Sequence, residues 1–313
     1  MVPTSRNVSS ALIFPEGRAR GPQAARRFRR LSTVSVFDYS EAFSRNRGVL
    51  DDGDIARLRS ARVSIAGVGG AGSNYLLALT RLGVEKFTIA DHDVFELTNI
   101  NRQAGATMPN LGRKKAEVLA EMAAEINPDI DIRVLSDGLY RETMADFFAD
   151  TTVVMDTLDL LVVDVRDVMH EEAQRRSCYV VTGAVPIGFG VATTTFGPGS
   201  MSYWDSFGID KSDSNMVKMN KMIAGLTSAG FPPQANLPPK FLDFGPSEED
   251  VVFSSLASTH YLGTGVAVTE VLCLLLGKRQ PTLAPDILQI DMLSRGMAVS
   301  RLRTAGSDES LMI

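Results

Sequence analysis

The chain has 313 residues, of which 44% are hydrophobic and 22% are charged, and its formal net charge is −5. This composition is typical of a soluble globular protein with one large or two modest domains, and it carries no nucleic-acid-binding signature. Two cysteines, Cys178 and Cys273, without a CxxC pair exclude a disulfide framework and a four-cysteine zinc site. Because so few cysteines favour a reducing compartment, we expect a cytoplasmic location.

The first segment, residues 1–35, is rich in arginine and contains a single acidic residue, Glu16. We interpret it as a disordered basic leader; a start codon placed too early and an organelle transit peptide are the alternatives. We expect a single domain at 36–305, with a long loop at about 205–250 and a tail at 306–313.

Strands and helices alternate after the leader, which favours a parallel sheet with helices on both faces. Apolar periodicity and turn residues mark the elements. The predicted strands are 62–67, 86–91, 131–136, 152–158, 179–185 and 189–196. The predicted helices are 51–61, 73–83, 112–128 and, within the long loop, about 215–226.

The later strands predict an antiparallel continuation of the sheet. Only residues 186–188 separate two of them, which is too short for a parallel crossover. Segments 286–293 and 297–304 predict a further hairpin. The apolar segment 261–277 is interrupted by Glu270 and predicts a buried helix, so we expect no membrane segment. The expected fold is α/β, a parallel sheet continued by antiparallel strands into one mixed sheet.

A glycine-rich segment, GVGGAGS, lies between the first strand and its helix, with glycines at positions 67, 69, 70 and 72 (Gly67, Gly69, Gly70 and Gly72). In that position the pattern is typical of a Rossmann-like nucleotide site, because glycines let the backbone approach phosphate at a helix N-terminus. Asp91 ends the second strand, where a carboxylate can bind ribose hydroxyls. A glycine turn that serves only close packing is the alternative.

A dense polar passage, DHDVFELTNINRQ at 91–103, follows the second strand and contains Asn99, Asn101, Arg102 and Gln103. Lys115 begins the next helix. An amide, a guanidinium and an ammonium around one site supply more positive charge than a nicotinamide needs. They suit a triphosphate whose α-phosphorus is attacked, because negative charge then develops on the phosphoryl oxygens. A solvated charged loop is the alternative interpretation.

These motifs together resemble the ThiF/MoeB/HesA family within the ubiquitin-activating-enzyme superfamily. The matching segments are GVGGAGS, DHDVFELTNINRQ, GRKKAE, INP and DTLD, and the resemblance covers about residues 41–200 and returns for the final helix and hairpin. It implies that Gly70 lies against the phosphates, that Asp91 binds ribose, and that Asn99, Arg102 and Lys115 surround the triphosphate.

The resemblance assigns three further roles. Asp159, at the end of the fourth predicted strand, would hold magnesium, and Gln103 would support the loop. Arg47, in FSRNRGVL, would act as an arginine finger on the ATP of a partner subunit, which implies a homodimer.

The resemblance also implies the activity. Such enzymes use ATP and magnesium to adenylate the C-terminal carboxylate of a ubiquitin-like sulfur carrier or a small peptide, and they release pyrophosphate. We expect a carrier protein or peptide as partner, with no zinc, no membrane and no nucleic acid. The alternatives are a tRNA threonylcarbamoyladenosine dehydratase-like enzyme, an NAD(P)-binding oxidoreductase and a non-catalytic adaptor.

Several features depart from the family pattern. The zinc-holding CxxC pairs are absent, no cysteine follows FGPG, and Leu160 replaces the amide that commonly follows the metal-holding acid. These departures argue against an enzyme thioester but leave the adenylation residues in place. The remaining cysteines, histidines and large aromatic residues are expected to pack in the core or support loops: Cys178, Cys273, His92, His170, His260, Tyr203 and Trp204.

Overall fold

In a computed structural model, the described residues are 36–160, 162–228, 242–244 and 251–302. Those from Phe37 onward belong to one unit, and of the separate segment Met1–Val36 only Val36 is described. The predicted leader, the predicted tail and much of the predicted loop at 205–250 lie outside the described residues. The proposed domain boundaries therefore stay predictions.

Six strands form the central sheet. They are β1 (Arg62–Ala66), β2 (Lys86–Ala90), β3 (Asp131–Leu135), β4 (Val153–Asp156), β5 (Tyr179–Thr182) and β8 (Thr195–Phe196). Their order is β3-β2-β1-β4-β5-β8; the first five are parallel, and β8 runs antiparallel to β5. β1 and β4 are buried along their whole length, as is usual for parallel strands covered on both faces, and this burial includes the polar side chains of Arg62, Ser64 and Asp156.

The other strands form two smaller antiparallel sheets. A four-stranded sheet has the order β12-β11-β7-β6, and β9 pairs with β10. Their bounds are β6 (Val185–Ile187), β7 (Gly190–Thr193), β9 (Leu242–Phe244), β10 (Val251–Phe253), β11 (Asp286–Asp291) and β12 (Gly296–Arg301).

The predicted antiparallel continuation of the parallel sheet is confirmed, but it is divided between two sheets instead of forming a single one. Only Thr194 separates β7 from β8, and the chain passes there from the four-stranded sheet to the six-stranded one. The backbone of Thr194 accepts a hydrogen bond from Thr182 N at 2.9 Å, while its hydroxyl donates to Asp286 O at 2.6 Å. One residue thus joins both sheets.

The turn predicted at 186–188 lies slightly later. Pro186 and Ile187 belong to β6, and the chain reverses at Gly188 and Phe189 before β7. Gly188 has a φ of +57°, a conformation that glycine adopts without steric cost, so the glycine marks the turn.

Helices cover both faces of the central sheet, as predicted. They are α1 (Tyr39–Ala42), α2 (Asp52–Ser60), α3 (Gly70–Arg81), α4 (Lys115–Ile126), α5 (Met144–Phe147), α6 (Val163–Arg175), α7 (Tyr203–Phe207), α8 (Asn215–Ser228) and α9 (Ala257–Leu276). In β4, Val153 and Met155 pack with α3, α4 and α9, whereas Val154 packs on the opposite face with α5, α6 and α7. This alternation is the ordinary period of a strand.

The apolar helix α9 is part of the core. By length and a mean hydropathy of 1.4 it is the one helix of the described residues that could cross a bilayer. It packs against α3, β6 and β7, with Ala267 and Val271 fully buried. Its single acidic residue, Glu270, is buried and forms an ion pair with Arg279. The predicted buried helix is confirmed, and it begins at Ala257.

Candidate active site

A cavity of about 1180 Å³ opens at the carboxyl ends of the parallel strands. It lies where the strand order reverses between β1 and β4, which is the usual ligand position in open α/β sheets. Its volume exceeds the roughly 300–1,000 Å³ of a typical small-ligand pocket. The glycine loop, the polar passage and the loop after β4 all contribute to its lining.

The glycine loop bends β1 into α3 and leaves no room for a side chain at Gly67 or Gly72. Gly67 has a φ of +86°, and a Cβ there would lie 2.7 Å from the carbonyl oxygen of Thr157. A Cβ at Gly72 would lie 2.0 Å from the carbonyl oxygen of Gly67. The loop therefore brings the N-terminus of α3, with its unpaired backbone N–H groups, to the cavity, where such a helix end favours an anion.

Asp91 ties the end of β2 to the glycine loop. Its Oδ2 accepts a hydrogen bond from Val68 N at 2.8 Å, and its Oδ1 accepts one from Asp93 N at 2.9 Å. The carboxylate lines the cavity and is partly exposed. Since a carboxylate has about four acceptor positions, both oxygens can still accept bonds from a ligand.

The polar passage brings Arg102 and Asn101 to the cavity, but not Asn99. A 3-10 helix at Leu97–Asn99 begins with a reciprocal cap, in which Asn99 Oδ1 accepts from Glu96 N at 3.0 Å. Asn99 is buried there and is not among the described residues that line the cavity. Asn101 lines it instead, and its Oδ1 accepts from Arg102 Nη1 at 2.8 Å.

Arg102 is held against the glycine loop through its backbone. The side-chain amide of Asn74 donates to Gly70 O at 2.7 Å and to Arg102 O at 3.3 Å. The guanidinium donates to Thr98 O at 3.1 Å. Burial lowers the pKa of Arg102 below its ordinary value, and the nearby carboxylate of Asp159 acts in the opposite direction.

Two further polar groups complete this side of the cavity. Lys115, at the start of α4, is buried, and its ammonium donates to Asp93 Oδ2 at 2.8 Å. Gln103 is also buried, and its Oε1 finds no hydrogen-bond partner among the described residues. Its Nε2 lies 3.7 Å from the position of a Cβ at Gly69, so the amide adjoins the glycine loop.

The two acids of MDTLD have different surroundings. Strand β4 ends at Asp156, so Asp159 lies in the loop that follows and does not end the strand as predicted. Asp159 is exposed on the cavity wall. Asp156 is buried and accepts from Arg166 Nε at 2.9 Å, with His170 Nε2 at 3.4 Å. Burial alone would raise the pKa of Asp156, but Arg166 and His170 together outweigh that effect and lower the pKa to about 2.

His260, from the first turn of α9, is a site residue that the sequence did not predict. Its Nε2 lies 2.6 Å from Ser255 Oγ, while its buried Nδ1 has no hydrogen-bond partner within the part of the chain that is described. Burial and, to a smaller extent, the charge of Arg102 lower the pKa of His260 to about 4. No local pattern marks this histidine, because its position depends on how α9 packs. The sequence analysis also missed Arg166 and His170 as the partners of Asp156. Their i, i+4 spacing on one helix was the available signal.

The sequence pattern of the ThiF family matches residues 43–311. The chain belongs to the ThiF family. Its sequence is similar to the tRNA threonylcarbamoyladenosine dehydratase of Haemophilus influenzae, 33% identical over 112 residues, or 36% of this chain and 43% of that protein. It is also similar to the sulfur carrier protein ThiS adenylyltransferase of Escherichia coli, 34% identical over 103 residues, or 33% of this chain and 41% of that protein.

The similarity to these curated relatives spans less than half of their length. Among solved structures, the chain is similar to PaaA, with a TM-score of 0.61, 15% identity, and coverage of 90% of this chain and 77% of that one. At that identity the likeness shows the fold alone. Family membership favours the interpretation of the glycine loop as an adenylation site over that of a nicotinamide enzyme.

In this ThiF-family chain, Arg47 directly precedes the segment that leads into α2. It is exposed, its Nε lies 3.9 Å from Asp52 Oδ1, and it is not among the described residues that line the cavity. His92 lies at the cavity edge, with its Nε2 3.3 Å from Asp93 Oδ1. No group of three metal-ligating side chains occurs in the described ranges.

Neither cysteine of this ThiF-family chain lines the large cavity among the residues that are described. Cys178 lines a separate cavity of about 290 Å³, and burial raises the pKa of its thiol to about 11. Cys273 lies within α9. Tyr203 and Trp204 are buried in α7, as predicted, and Tyr203 also lines the large cavity.

Proposed function

We propose that this chain activates a carboxylate with ATP, forming an acyl-adenylate and releasing pyrophosphate. The observation that carries the proposal is that Arg102, Lys115 and Asp159 line one cavity with the glycine loop. Two neighbouring buried polar atoms, Gln103 Oε1 and His260 Nδ1, have no hydrogen-bond partner among the described residues, which supports a polar ligand at this end.

The chemistry requires alignment and charge neutralisation more than a side-chain nucleophile. A carboxylate oxygen of the acceptor attacks the α-phosphorus, a new P–O bond forms, and the bond to the leaving pyrophosphate breaks. The helix N-terminus at Gly70 and the cations of Arg102 and Lys115 stabilise the negative charge on the phosphoryl oxygens. Asp93 positions the ammonium of Lys115, and Asp91 is placed to accept from the ribose hydroxyls.

The donor set at the cavity fits magnesium. This ion takes one or two protein carboxylates and completes its shell with phosphate and water, and Asp159 provides an exposed carboxylate close to Arg102. When bound, the ion would neutralise triphosphate charge. Asp156 is not a candidate ligand, because its carboxylate is buried against Arg166.

We propose a homodimer in which Arg47 completes the site of the partner subunit. Its exposure, and its absence from the described residues that line the cavity of its own chain, support a role in trans. The proposed acceptor is the C-terminal carboxylate of a small carrier protein or peptide; one relative is named as the adenylyltransferase of a sulfur carrier protein.

The proposed reaction is tested by isotope exchange between ATP and labelled pyrophosphate in the presence of candidate carboxylates. Carboxylate-dependent exchange is expected, together with calorimetric binding of ATP and weak or no binding of NAD. Tight NAD binding without ATP binding would overturn the proposal. Arg102→Ala serves as the inactive comparison, and its fold is checked by circular dichroism.

A second candidate function is action on modified tRNA, because several curated relatives are tRNA threonylcarbamoyladenosine dehydratases. Both functions would use the same adenylation site. Incubation of the chain with ATP and tRNA that carries threonylcarbamoyladenosine, followed by mass spectrometry of the nucleosides, separates them. Loss of one water from the modified nucleoside would favour the dehydratase.

A further inference from the structure

The large cavity has two ends of different chemistry. The phosphate end carries the glycine loop, Arg102 and Lys115. The opposite end is lined by apolar side chains from the loop after β4, from α6, α7 and α8, and from β6. We call this surface the apolar wall; it comprises Leu158, Leu160, Val165, Val185, Phe207 and Met222.

Most hydrogen bonds of the polar groups at the apolar wall are made within the chain. Arg166 donates through Nε to Asp156 and through Nη2 to the carbonyl oxygens of Leu158 and Asp159, while its buried Nη1 has no hydrogen-bond partner among the described residues. The hydroxyl of Tyr203 donates to the sulfur of Met222 at 2.9 Å. Because the carboxylate of Asp156 already pairs with Arg166, a ligand at this end gains chiefly by removing apolar surface from water.

The side chains of Leu158 and Leu160 connect the two ends. They flank Asp159, which lies on the cavity wall and interacts electrostatically with Arg102. Both leucines are only partly buried, although they pack against the core cluster that contains Phe207 and Met222. Leu160 stands where the family commonly has an amide, so this apolar surface begins beside the place where the acceptor carboxylate must meet the nucleotide.

We propose that the acceptor carries a branched apolar group directly beside its reacting carboxylate, and that the apolar wall binds this group. The inference rests on the proposed adenylation and names its substrate class. The carboxylate lies at the charged end and the apolar group extends toward α7 and α8. An acceptor that ends in glycine would leave the wall exposed, whereas burying a leucine-sized side chain is favourable by tenfold or more in affinity.

Calorimetry with two non-hydrolysable acyl-adenylate analogues tests this directly. N-acetylglycyl and N-acetylleucyl sulfamoyl adenosine differ only in the side chain. The leucyl analogue is expected to bind at least about tenfold more tightly. Equal affinity would overturn the apolar acceptor while leaving adenylation intact. Failure of ATP and of both analogues to bind would overturn the proposed function, and the inference with it.

Two variants test whether the apolar wall causes the preference for the leucyl over the glycyl analogue. Leu160→Asn restores the amide common in the family and is expected to remove most of the leucyl preference, and Val165→Ala, a milder change, is expected to reduce it. Leu293→Asn, at an exposed leucine in the β11–β12 turn, is the matched control and should leave it unchanged. An unchanged preference in both wall variants would contradict the assignment.

Pyrophosphate exchange with two acceptors shows whether the branched apolar group belongs to a small acid or to the C-terminus of a peptide. Isovaleric acid represents a small branched acid, and an acetylated peptide that ends in leucine represents a peptide C-terminus. Stronger exchange with either than with acetate or with the same peptide ending in Gly-Gly supports the inference. Exchange that is strongest with the Gly-Gly peptide would contradict it.

Discussion

The imidazole of His260 lies directly against the backbone of Gly70: a Cβ added at position 70 would lie 2.6 Å from Cε1 of the ring. Nearly two hundred residues of sequence separate the two. The contact joins the first turn of α9 to the first residue of α3, so the C-terminal helix forms part of the phosphate end of the cavity. The ring also leaves its Nδ1 buried and without a hydrogen-bond partner in the described part of the chain.

Gly70→Ala is expected to weaken ATP binding by about tenfold, because the added methyl group displaces His260 or shifts the start of α3. The free energy of unfolding should also fall by about 1–3 kcal/mol, the usual cost of overpacking. Calorimetry with ATP and a thermal melt measure the two effects. The double variant Gly70→Ala/His260→Ala should recover part of the lost stability.

Gly265→Ala is the matched control for Gly70→Ala. Gly265 lies in α9, and a Cβ there meets nothing within 4 Å among the described residues. This substitution should leave ATP binding unchanged and raise the stability by about 0.5–1 kcal/mol. Equal effects of the two substitutions on ATP affinity would contradict the steric argument.

His260 should make the fold less stable in mild acid. Its pKa is lowered from 6.5 to about 4, so between these values the unfolded chain binds a proton that the folded chain excludes. The free energy of unfolding therefore falls as the pH decreases from 6.5 to 4, by up to about 3 kcal/mol. The pKa of Asp156 is lowered from 3.8 to about 2. Its carboxylate therefore also loses its stabilising effect in acid, but only below pH 3.8.

Melting temperatures of wild type and His260→Gln between pH 4 and 7 check this dependence. The wild type is expected to lose stability more steeply across this range than the variant does. His92→Gln, at an exposed histidine near the same cavity, should keep the wild-type slope. Parallel pH profiles for wild type and His260→Gln would show that another group controls the acid sensitivity.

Asp159→Asn and Asp156→Asn should affect different properties: the first the rate of pyrophosphate exchange, and the second the stability of the fold. Asp159→Asn is expected to retain ATP binding but to slow pyrophosphate exchange by on the order of a hundredfold or more, since the carboxylate that would hold the charge-neutralising magnesium ion is lost. Asp156→Asn breaks a buried ion pair with Arg166 and should destabilise the fold by about 3–5 kcal/mol. Near-normal exchange in Asp159→Asn would show that this carboxylate has a structural role and does not hold magnesium.

Arg47 should act in trans. Mixing inactive Arg47→Ala and Asp159→Ala subunits is expected to restore about a quarter of wild-type exchange, because random pairing makes half of the dimers mixed and each mixed dimer has one intact site. Native mass spectrometry verifies the dimer and the subunit exchange. Arg45→Ala, at a neighbouring exposed arginine, is the control and should remain active. Exchange of subunits without recovered activity would exclude a shared site.

Adenylation should proceed without a cysteine. Burial keeps the Cys178 thiol protonated, with a pKa of about 11, and only the thiolate is a good nucleophile. The double variant Cys178→Ser/Cys273→Ser is expected to retain pyrophosphate exchange and to form no thioester, as in wild type. Loss of exchange in a folded double variant, measured beside its circular dichroism spectrum, would make a thiol part of the reaction.

The sequence by itself determined the strand and helix succession and the glycine loop. These features depend on short-range physics: apolar runs form buried strands, and glycines with positive φ or no room for a Cβ mark the turn into α3. Asp91, Arg102 and Lys115 also follow from sequence, because side chains at the carboxyl ends of parallel strands, and in the loops that follow, meet at one edge of the sheet.

The tertiary structure alone decided which polar residues line the cavity. The resemblance implied Asn99 at the triphosphate, but the reciprocal cap with Glu96 turns Asn99 inward, and Asn101 lines the cavity instead. Likewise, Asp156 and Asp159 lie three residues apart, and only the packing of α6 assigns Arg166 to the first. His260 and the apolar wall are formed by segments that are distant from one another in the chain, and contacts over such separations leave no local pattern from which they could be predicted.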